Sequence, residues 1–249
     1  MKIGIAGYGF VGRAHEALLK GNHEIIINDP YKGYHKDLHY DVECIIIAVS
    51  TPSNPDGSCY MDNIYDVIKS TPDVPLLIKS TISLEGWKEL MKTFPNRDIS
   101  FSPEFLREAS AFEDLLNMKT LLITRNSFDF WKEVFNFGGA LDIIGGEPEE
   151  LILTKYFRNS FLATKVAFFN QVYDLCEATD IDYSSVAKYI GIDSRIGDSH
   201  TNVTSKRGFG GHCFPKDTKA IIETAKLNNI KLSIIEDAID YNTKIRREN

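Results

Sequence analysis

The chain has 249 residues, a formal net charge of −7 and 43% hydrophobic residues. This composition is typical of globular proteins, because 15 Phe, 11 Tyr and many aliphatic residues supply enough apolar side chains for a hydrophobic core. The negative charge argues against general binding to nucleic acids or anionic membranes, which both require an excess of basic residues. The length allows one large domain or two smaller ones.

The apolar segments and the N-terminus predict a cytoplasmic protein with no membrane segment. Residues 1–6 lead directly into a glycine-rich stretch, without the apolar core or the cleavage site of a signal peptide. The longest apolar runs, such as residues 45–49, are much too short to cross a bilayer. The four cysteines lack the spacing of a zinc site or a disulfide scaffold, so we expect no metal. They are Cys44, Cys59, Cys176 and Cys213.

Short β-branched segments alternate with helix-length segments through the first 145 residues. Several of the predicted strands are apolar at consecutive positions, as strands buried on both faces require. The alternation predicts an α/β fold with a doubly wound, mostly parallel sheet of the Rossmann type. The predicted strands are 2–6, 24–28, 44–49, 75–79, 99–101, 121–124 and 141–144, and the predicted helices are 12–20, 61–70 and 84–93.

A glycine motif, GYGFVG, follows the first predicted strand and begins the first helix. Its glycines permit a tight turn, a close approach of a pyrophosphate and close packing of the helix on the strand. The N–H groups at the helix N-terminus favour a bound phosphate. Asp29, at the end of the second strand, can accept hydrogen bonds from a ribose and would repel a 2′-phosphate, which favours NAD over NADP. The alternative is that the three glycines only make a tight turn and bind no ligand. The presence of Asp29 argues against this alternative. The predicted NAD-binding residues of this motif are Gly7, Gly9, Phe10, Val11, Gly12 and Asp29.

The segment 208–217, GFGGHCFPKD, combines a glycine-rich loop with side chains that could take part in a reaction. Its three glycines make a loop with few side chains, through which a ligand can contact backbone amides. Pro215 predicts the start of a helix. Cys213 would therefore lie just before a helix N-terminus and near Lys216 in sequence, and both features favour a thiolate. We interpret Cys213 as a reactive thiol, rather than as a buried, inert cysteine.

The same segment resembles the active-site signature of the nucleotide-sugar dehydrogenases, above all the UDP-glucose 6-dehydrogenases. With the glycine motif, six segments are similar to family motifs and follow the family's order. The other four are KST at 79–81, SPEFLRE at 102–108, KYFRNSFLA at 155–163 and DSRIG at 193–197. The resemblance implies an NAD-dependent enzyme that oxidises the C6 alcohol of a nucleotide sugar, in the first place UDP-glucose, to a carboxylate in two hydride transfers.

The resemblance also implies roles for single residues. Cys213 would attack the aldehyde left by the first oxidation and form a thiohemiacetal and then a thioester, which water hydrolyses. Lys155 and Asn159 would stabilise the oxyanion, and Asp217 would act with a water as general base or orient that water. The implied catalytic residues are Cys213, Lys155, Asn159, Asp217, Thr81 and Glu104.

Further contacts follow from the same resemblance. Glu104 would assist hydrolysis, Thr81 would contact the nicotinamide or the catalytic water, and Arg195 would reach the nucleotide sugar of a neighbouring subunit. The alternatives are solvated loop carboxylates for Glu104 and Glu108 and a surface arginine for Arg195. Additional NAD contacts are expected from Thr51, Thr81, Glu108 and Lys216. Substrate contacts are expected from Glu104, Phe105, Leu106, Lys155, Asn159, Arg195, Phe209, Gly210 and Cys213.

The second half of the chain is predicted to be helical. The segment from Pro148 to about Thr179 contains no further Pro and no Gly, so it can form a helix of roughly 45–50 Å. Another helix is expected at 233–246. We therefore predict a Rossmann domain at residues 1–146 and an all-α domain at 147–249. The resemblance implies a homodimer through the long helix.

Two features depart from the family pattern and leave alternatives open. Relatives continue after the segment equivalent to 232–249 into a second Rossmann-like domain, and the segment 30–43 is shorter here than is usual. We therefore expect a short form with an open adenosine side. One alternative is a two-electron dehydrogenase of the 3-hydroxyacid type, whose chemistry needs no cysteine. The other is a non-catalytic protein that binds NAD or a nucleotide.

Overall fold

A computed structural model of the chain describes residues 1–35, 37–38, 41–54, 58–107, 111–136 and 141–247. The chain divides into two structural units, Met1–Lys155 and Tyr156–Asn249. The division falls inside one long helix, whereas the predicted domain boundary at residues 146–147 precedes that helix.

The first unit is built on two sets of strands. A six-stranded sheet consists of β1 (Lys2–Ala6), β2 (Glu24–Asp29), β3 (Tyr34–His35), β4 (Cys44–Ile47), β5 (Leu76–Ile78) and β6 (Ile99–Phe101). The strand order is β3-β2-β1-β4-β5-β6, and all neighbours are parallel except the antiparallel pair β2 and β3. A second, parallel pair consists of β7 (Thr120–Thr124) and β8 (Asp142–Gly146).

Helices follow most of these strands. They are α1 (Phe10–Leu19), α2 (Asp62–Lys69), α3 (Leu84–Thr93), α4 (Ala111–Leu116) and α5 (Phe128–Val134), and Pro30–Lys32 form a 3₁₀ turn. The predicted mostly parallel α/β fold is confirmed. The sequence did not predict β3, α4 and α5, because segments of two to seven residues are too short to show a periodic apolar pattern.

The central strands β1 and β4 explain the runs of consecutive apolar residues. Ile3 and Ile5 of β1 are fully buried, as are Ile45, Ile46 and Ile47 of β4. Strands buried on both faces need helices on both sides of the sheet, because each apolar side chain must find a packing partner. Two such strands in the middle of the sheet therefore require the doubly wound arrangement.

The strand order reverses its direction between β1 and β4, which are neighbours although β2 and β3 lie between them in sequence. In sheets of this type, ligands bind outside the carboxyl ends of the strands at such a reversal. The glycine motif at residues 7–12 follows β1, and residues 48–51 follow β4. Both segments therefore lie at the edge of the sheet where a cofactor is expected.

The pair β7 and β8 is attached to the sheet by side chains rather than by a strand ladder. Thr124 Oγ1 accepts the N–H of Phe101 at 3.0 Å, and Asn126 Nδ2 donates to the carbonyl of Ile99 at 2.7 Å. Trp131 of α5 is fully buried in the same hydrophobic cluster as Leu121 and Ile123 of β7. These contacts fix β7 beside β6.

The second unit contains only helices among its described residues. They are the C-terminal part of α6 (Pro148–Ala178), α7 (Tyr183–Gly191), α8 (Cys213–Leu227) and α9 (Ser233–Ile245). The predicted long helix is confirmed: α6 has 31 residues, which corresponds to roughly 46 Å. Across the described ranges, no helix combines the length and the apolar composition that a membrane crossing requires.

Helix α8 begins earlier than the sequence analysis predicted. Its first residue is Cys213, two positions before Pro215. A proline in the first turn of a helix removes only an N–H group that has no acceptor within the helix, so it need not be the first residue. Cys213 therefore belongs to the first turn of α8 instead of the preceding loop.

Candidate active site

The glycine motif forms a tight connection between β1 and α1. Gly7 has a positive φ of 91°, and its N–H donates to the carbonyl of Asn28 at 2.9 Å. A Cβ on Gly12 would overlap the carbonyl oxygen of Gly7, so only glycine allows this approach. By contrast, among the described residues beyond its chain neighbours, no atom lies within 4 Å of the position that a Cβ on Gly9 would take. Gly9 therefore leaves its surroundings open to a ligand.

The N-terminus of α1 faces this opening with its first N–H groups. The first hydrogen bond within the helix runs from the N–H of Arg13 to the carbonyl of Gly9, at 3.1 Å. The N–H groups of Phe10, Val11 and Gly12 precede that bond and have no acceptor within the helix. Among the described residues, no side chain caps the helix at Gly9. Such a terminus fits a pyrophosphate.

Asp29 is oriented by the glycine motif itself. Its Oδ2 accepts the N–H of Tyr8 at 2.7 Å, and Lys32 Nζ donates to the carbonyl of Tyr8 at 3.0 Å. The carboxylate is thus held at the carboxyl end of β2, next to the loop that would contact a pyrophosphate. This arrangement fits a dinucleotide whose ribose hydroxyls donate to Asp29.

The loops after β4 and β5 are joined by hydrogen bonds. Ser80 Oγ donates to the carbonyl of Val49 at 2.8 Å, and Cys59 Sγ donates to the carbonyl of Thr81 at 3.3 Å. Thr51 is buried just after β4, and Thr81 is half-buried. The predicted cofactor contacts Thr51 and Thr81 therefore lie in loops at the same edge of the sheet as the glycine motif.

A cluster of charged side chains is buried in the first unit around Glu104. Lys79 Nζ lies 3.3 Å from Glu104 Oε2 and donates to Ser102 Oγ at 2.9 Å. Glu104 Oε1 accepts the N–H of Phe105 at 2.8 Å, and Lys155 Nζ donates to the main-chain carbonyl of Glu104. Both Lys79 and Glu104 are buried, so Glu104 is an ion-paired interior carboxylate and not a solvated loop residue.

These neighbours determine the charge of Glu104. Burial alone would raise the pKa of Glu104, but the positive charge of Lys79 and the hydrogen bond from Phe105 outweigh it, and the pKa is lowered. Burial lowers the pKa of Lys79, because it disfavours the ammonium form. Glu104 is therefore an ionised carboxylate at neutral pH, able to accept a proton.

His15 of α1 completes this cluster. Its side chain is fully buried, and Nδ1 lies 3.0 Å from the carbonyl oxygen of Val11, which can only accept. Nδ1 therefore carries the hydrogen, and Nε2, 3.7 Å from Glu104 Oε2, presents a lone pair to the carboxylate. Burial and the charge of Lys79 lower the pKa of His15 to about 4. His15 is thus neutral at pH 7.

A second polar cluster lies in the second unit around Asp217. Asn159 Nδ2 donates to Asp217 Oδ2 at 2.5 Å, and Lys216 Nζ lies 3.1 Å from Asp217 Oδ1. Asp217 is completely buried, and Asn159 is buried as well. Cys213 is half-buried in the first turn of α8, four residues before Asp217. Residues four apart share one side of a helix, so the thiol and the carboxylate lie on the same side of α8.

The remaining predicted site residues have varied surroundings. Arg195 lies at the surface with its side chain 87% exposed and pairs with Asp193. The side chain of Leu106 is buried in a small apolar cluster, and Phe209 is buried in the core of the second unit. Glu108 lies outside the described residues. Over the ranges described, no group of three or more His, Cys, Asp or Glu side chains is arranged to hold a metal ion.

Sequence reasoning missed the surroundings of Glu104. Lys79 occurs in a recognised motif, but its partner Ser102 is 23 residues away and only the fold brings them together. His15 lies inside a helix and has no sequence signal of its own. A charged residue directly after an apolar strand, as Lys79 is, was the one available sign of a buried polar site.

The burial of neutral His15 predicts a pH dependence of stability. Unfolded histidine ionises near pH 6.5 and folded His15 near pH 4, so between these values the unfolded chain binds a proton that the folded chain does not. The free energy of unfolding therefore decreases as the pH falls from 6.5 to 4. His15→Asn keeps a donor for Val11 but cannot titrate, and Lys79 and Glu104 remain in both proteins.

Urea unfolding at pH 8 and pH 5 measures this difference. Between these pH values, we expect the wild type to lose about 2 kcal/mol more unfolding free energy than His15→Asn. An equal loss in the two proteins would show that His15 is not the titrating group.

Known proteins provide an independent comparison. Residues 150–244 match the sequence model of the UDP-glucose/GDP-mannose dehydrogenase family, central domain. The UDP-glucose 6-dehydrogenase of Rickettsia bellii is 35% identical over 225 residues, which are 84% of this chain and 51% of that protein. The chain thus spans about half the length of the curated relatives it matches.

Solved structures agree on the fold. A UDP-glucose dehydrogenase from Pyrobaculum islandicum superposes with a TM-score of 0.83 at 24% identity, covering 98% of this chain and 68% of that one. The 3-hydroxyisobutyrate dehydrogenase of Mycobacterium tuberculosis gives a TM-score of 0.74 at 16% identity, covering 98% and 92%. The second match shows that this fold also occurs outside the nucleotide-sugar enzymes. The sequence matches therefore assign residues 150–244 to the central domain of the UDP-glucose/GDP-mannose dehydrogenase family.

Proposed function

We propose that the protein is an NAD-dependent nucleotide-sugar dehydrogenase that oxidises the C6 alcohol of UDP-glucose to the carboxylate of UDP-glucuronate. The observation that carries this proposal is the buried hydrogen bond from Asn159 of α6 to Asp217, which lies one helical turn after Cys213 in α8. A thiol, an amide and a carboxylate are the groups that a covalent oxidation of an aldehyde needs. The names and identity of the relatives support the same activity.

The cofactor part of the proposal rests on the first unit. The open surroundings of Gly9, the free N–H groups of α1 and the oriented carboxylate of Asp29 fit the pyrophosphate and adenosine ribose of NAD. When bound, NAD accepts the hydrides that leave the sugar carbon. Two hydrides are removed in all, because an alcohol becomes a carboxylate.

The role proposed for Cys213 follows from the chemistry of the aldehyde left by the first oxidation. The thiolate adds to the carbonyl carbon, a C–S bond forms, and the carbonyl electron pair becomes an oxyanion that takes up a proton. The resulting thiohemiacetal has a C–H bond from which a second hydride can leave, while its hydroxyl loses the proton and a thioester forms. Water then attacks the thioester, the C–S bond breaks, and the thiolate returns.

The proposed roles of Asn159 and Asp217 are connected. The amide nitrogen of Asn159 has two hydrogens, and one is used by Asp217, which leaves the other for the developing oxyanion. Asp217 Oδ2 accepts the hydrogen bond from Asn159, whereas Oδ1 lies 3.1 Å from Lys216 Nζ and accepts no hydrogen bond from the described residues. Asp217 is therefore proposed to orient the amide through Oδ2, and Oδ1 remains available to a water. Lys155, four residues before Asn159 on α6, is the proposed second donor to the oxyanion.

Glu104 is the proposed base for the hydrolysis of the thioester. It is ionised, and Lys79 and the N–H of Phe105 hold its carboxylate in a fixed position. A fixed, ionised carboxylate can take a proton from an attacking water.

The proposed reaction also needs a free thiol, which a reducing compartment preserves. We therefore propose that the protein is located in the cytoplasm.

The stoichiometry of the reaction tests the proposal. Incubation of the purified protein with NAD and UDP-glucose is expected to give two NADH for each sugar consumed. Cys213→Ser should reduce the rate of complete oxidation by a factor of roughly 10³ or more, because serine is not ionised at neutral pH. Cys176→Ala, which removes a buried thiol of α6, serves as the matched control and should retain most of the activity.

Other results would identify the alternatives. One NADH per molecule of a small hydroxyacid, with full activity in Cys213→Ala, would indicate a two-electron dehydrogenase. Binding of NAD by calorimetry without turnover of any nucleotide sugar, together with a Cys213 that does not react with alkylating reagents, would indicate a non-catalytic binding protein.

We propose a second copy of the chain as the partner of α6. Four large apolar side chains of this helix are 42–68% exposed, and their spacings of four and seven residues place them along one side. They are Phe157, Phe161, Phe168 and Leu175. A continuous apolar stripe of this kind marks an interaction surface, and two copies of one helix can bury it by symmetric packing.

Sedimentation velocity tests this homodimer. The double variant Phe161→Glu/Phe168→Glu is expected to sediment as a monomer under conditions in which the wild type is a dimer, because the interface would bury two unpaired charges. Glu177→Lys changes a charge on the opposite side of α6 and should leave the dimer intact. A wild-type monomer at micromolar concentration, or a dimeric double variant, would overturn the proposed interface.

A further inference from the structure

The backbone that leads to Cys213 is held by the side chain of Asn242 in α9. Asn242 Oδ1 accepts the N–H of Phe209 at 2.6 Å, and Asn242 Nδ2 donates to the carbonyl of the same residue at 3.1 Å. One amide side chain therefore satisfies both main-chain groups of Phe209, as a neighbouring strand would. This double contact fixes the orientation of the peptide at the start of the loop that precedes Cys213. We call this loop, residues 208–212, the cysteine loop.

Arg207 and Gly208, which precede Phe209, are hydrogen-bonded by two further side chains. Asn170 of α6 accepts the N–H of Gly208 at 3.0 Å and the Nε–H of Arg207 at 2.9 Å through the same oxygen, Oδ1. Arg246, the residue directly after α9, donates through Nη1 to the carbonyl of Arg207 at 2.7 Å. The segment 207–209 is thus bonded to one helix before the cysteine loop and to one helix after it.

The side chain of Arg207 strengthens the connection between these two helices. Its guanidinium donates to Asp174 of α6 and lies over the ring of Tyr173, 4.7 Å from the centroid. Asp174 also accepts the hydroxyl of Tyr241 from α9. Hydrogen bonds to a charged group are stronger than neutral ones, so this network holds α6, α9 and the loop together. We call Asn170, Asn242, Arg207 and Arg246 the loop clamp.

The clamp explains two of the three glycines in the loop. A Cβ on Gly208 would overlap Asn242 Oδ1, and a Cβ on Gly210 would overlap the guanidinium of Arg246. Within the part of the chain that the structure describes, and apart from the two flanking residues, no atom lies within 4 Å of the position that a Cβ on Gly211 would take. The sequence predicted that all three glycines give access to a ligand, but Gly208 and Gly210 also make room for the side chains of Asn242 and Arg246.

The clamped segment is packed against the residue that follows Cys213. Phe209 is buried among Ala163 and Ala167 of α6 and Ala238 of α9. Its ring lies 6.4 Å from the ring of Phe214, edge to face. A displacement of Phe209 would therefore be transmitted to the first turn of α8, which carries Cys213.

We propose that Asn242, Asn170 and Arg246 are positioning residues, which set the place of the Cys213 thiol by fixing the backbone of residues 207–209. Their role is indirect, because they act through the loop and not on a substrate. The inference rests on the proposed function only for the importance of Cys213, and the clamp itself can be measured without turnover.

Hydrogen exchange and alkylation of Asn242→Ala test the clamp. Loss of the acceptor should speed exchange of the Phe209 N–H by about five- to tenfold, while amides in the middle of α9 stay protected. The rate of alkylation of Cys213 by iodoacetamide should change by at least about threefold, because the thiol loses its fixed surroundings. Thr243→Ala, at the adjacent position of α9, is the matched control and should change neither rate.

Turnover provides a readout that general destabilisation does not give. Asn242→Ala should lower kcat and leave the KM for NAD unchanged, since the glycine motif lies in the first unit. Asn242→Asp keeps the acceptor for Phe209 and should restore the protection of its N–H. If the wild-type protein shows no turnover, the proposed function is wrong. Hydrogen exchange at Phe209 and alkylation of Cys213 would still test whether the clamp positions the thiol.

A suppression experiment tests the explanation of the glycines. Gly208 and Gly211 both have positive φ, at 53° and 76°, so alanine strains the backbone at either position, but only alanine at 208 meets Asn242. Asn242→Ala should therefore reduce the loss of urea resistance caused by Gly208→Ala and leave the loss caused by Gly211→Ala unchanged. Unchanged exchange at Phe209 in Asn242→Ala, or strictly additive effects of Gly208→Ala and Asn242→Ala, would overturn the proposal.

Discussion

Both candidate ligand-binding loops depend on backbone atoms that approach other groups more closely than any Cβ allows. In the first unit, the start of α1 lies directly against the carbonyl of Gly7, which is possible only because residue 12 is glycine. In the second unit, the side-chain oxygen of Asn242, rather than a backbone atom, lies where a Cβ on residue 208 would be. Each loop also contains a glycine with open surroundings, Gly9 in one and Gly211 in the other. Packing within the protein and access for a ligand thus use different glycines of the same motif.

Buried charge is the second constraint on the chemistry. Lys79 and Glu104 in the first unit, and Asp217 in the second, are removed from water and held by hydrogen bonds or ion pairs. Burial of a charge is unfavourable unless partners compensate for it, and replacement by apolar residues often preserves or improves stability. Buried, paired charges are enriched at functional sites, which supports the proposed roles of these two clusters. Fixed partners also mean that little reorganisation is required when a substrate develops charge.

The sequence predicted the parts of the fold that depend on local patterns. Consecutive apolar residues identified β1 and β4, and the absence of Pro and Gly after Pro148 identified α6. The parts it did not predict depend on distant residues. Asn242 contacts Phe209 across 33 positions, and no local pattern records that pairing. The start of α8 at Cys213 was missed for another reason, since a proline can occupy any position of a first turn.

Alanine substitutions at Gly9 and Gly12 test most directly whether the glycines of one motif have separate purposes. Gly9→Ala is expected to keep the free energy of urea unfolding within about 1 kcal/mol of the wild type and to weaken NAD binding, measured by calorimetry, at least roughly tenfold. Gly12→Ala is expected to lose about 3 kcal/mol or more of unfolding free energy, because its Cβ overlaps the carbonyl of Gly7. Equal stability of the two variants, or wild-type NAD affinity in Gly9→Ala, would contradict this division.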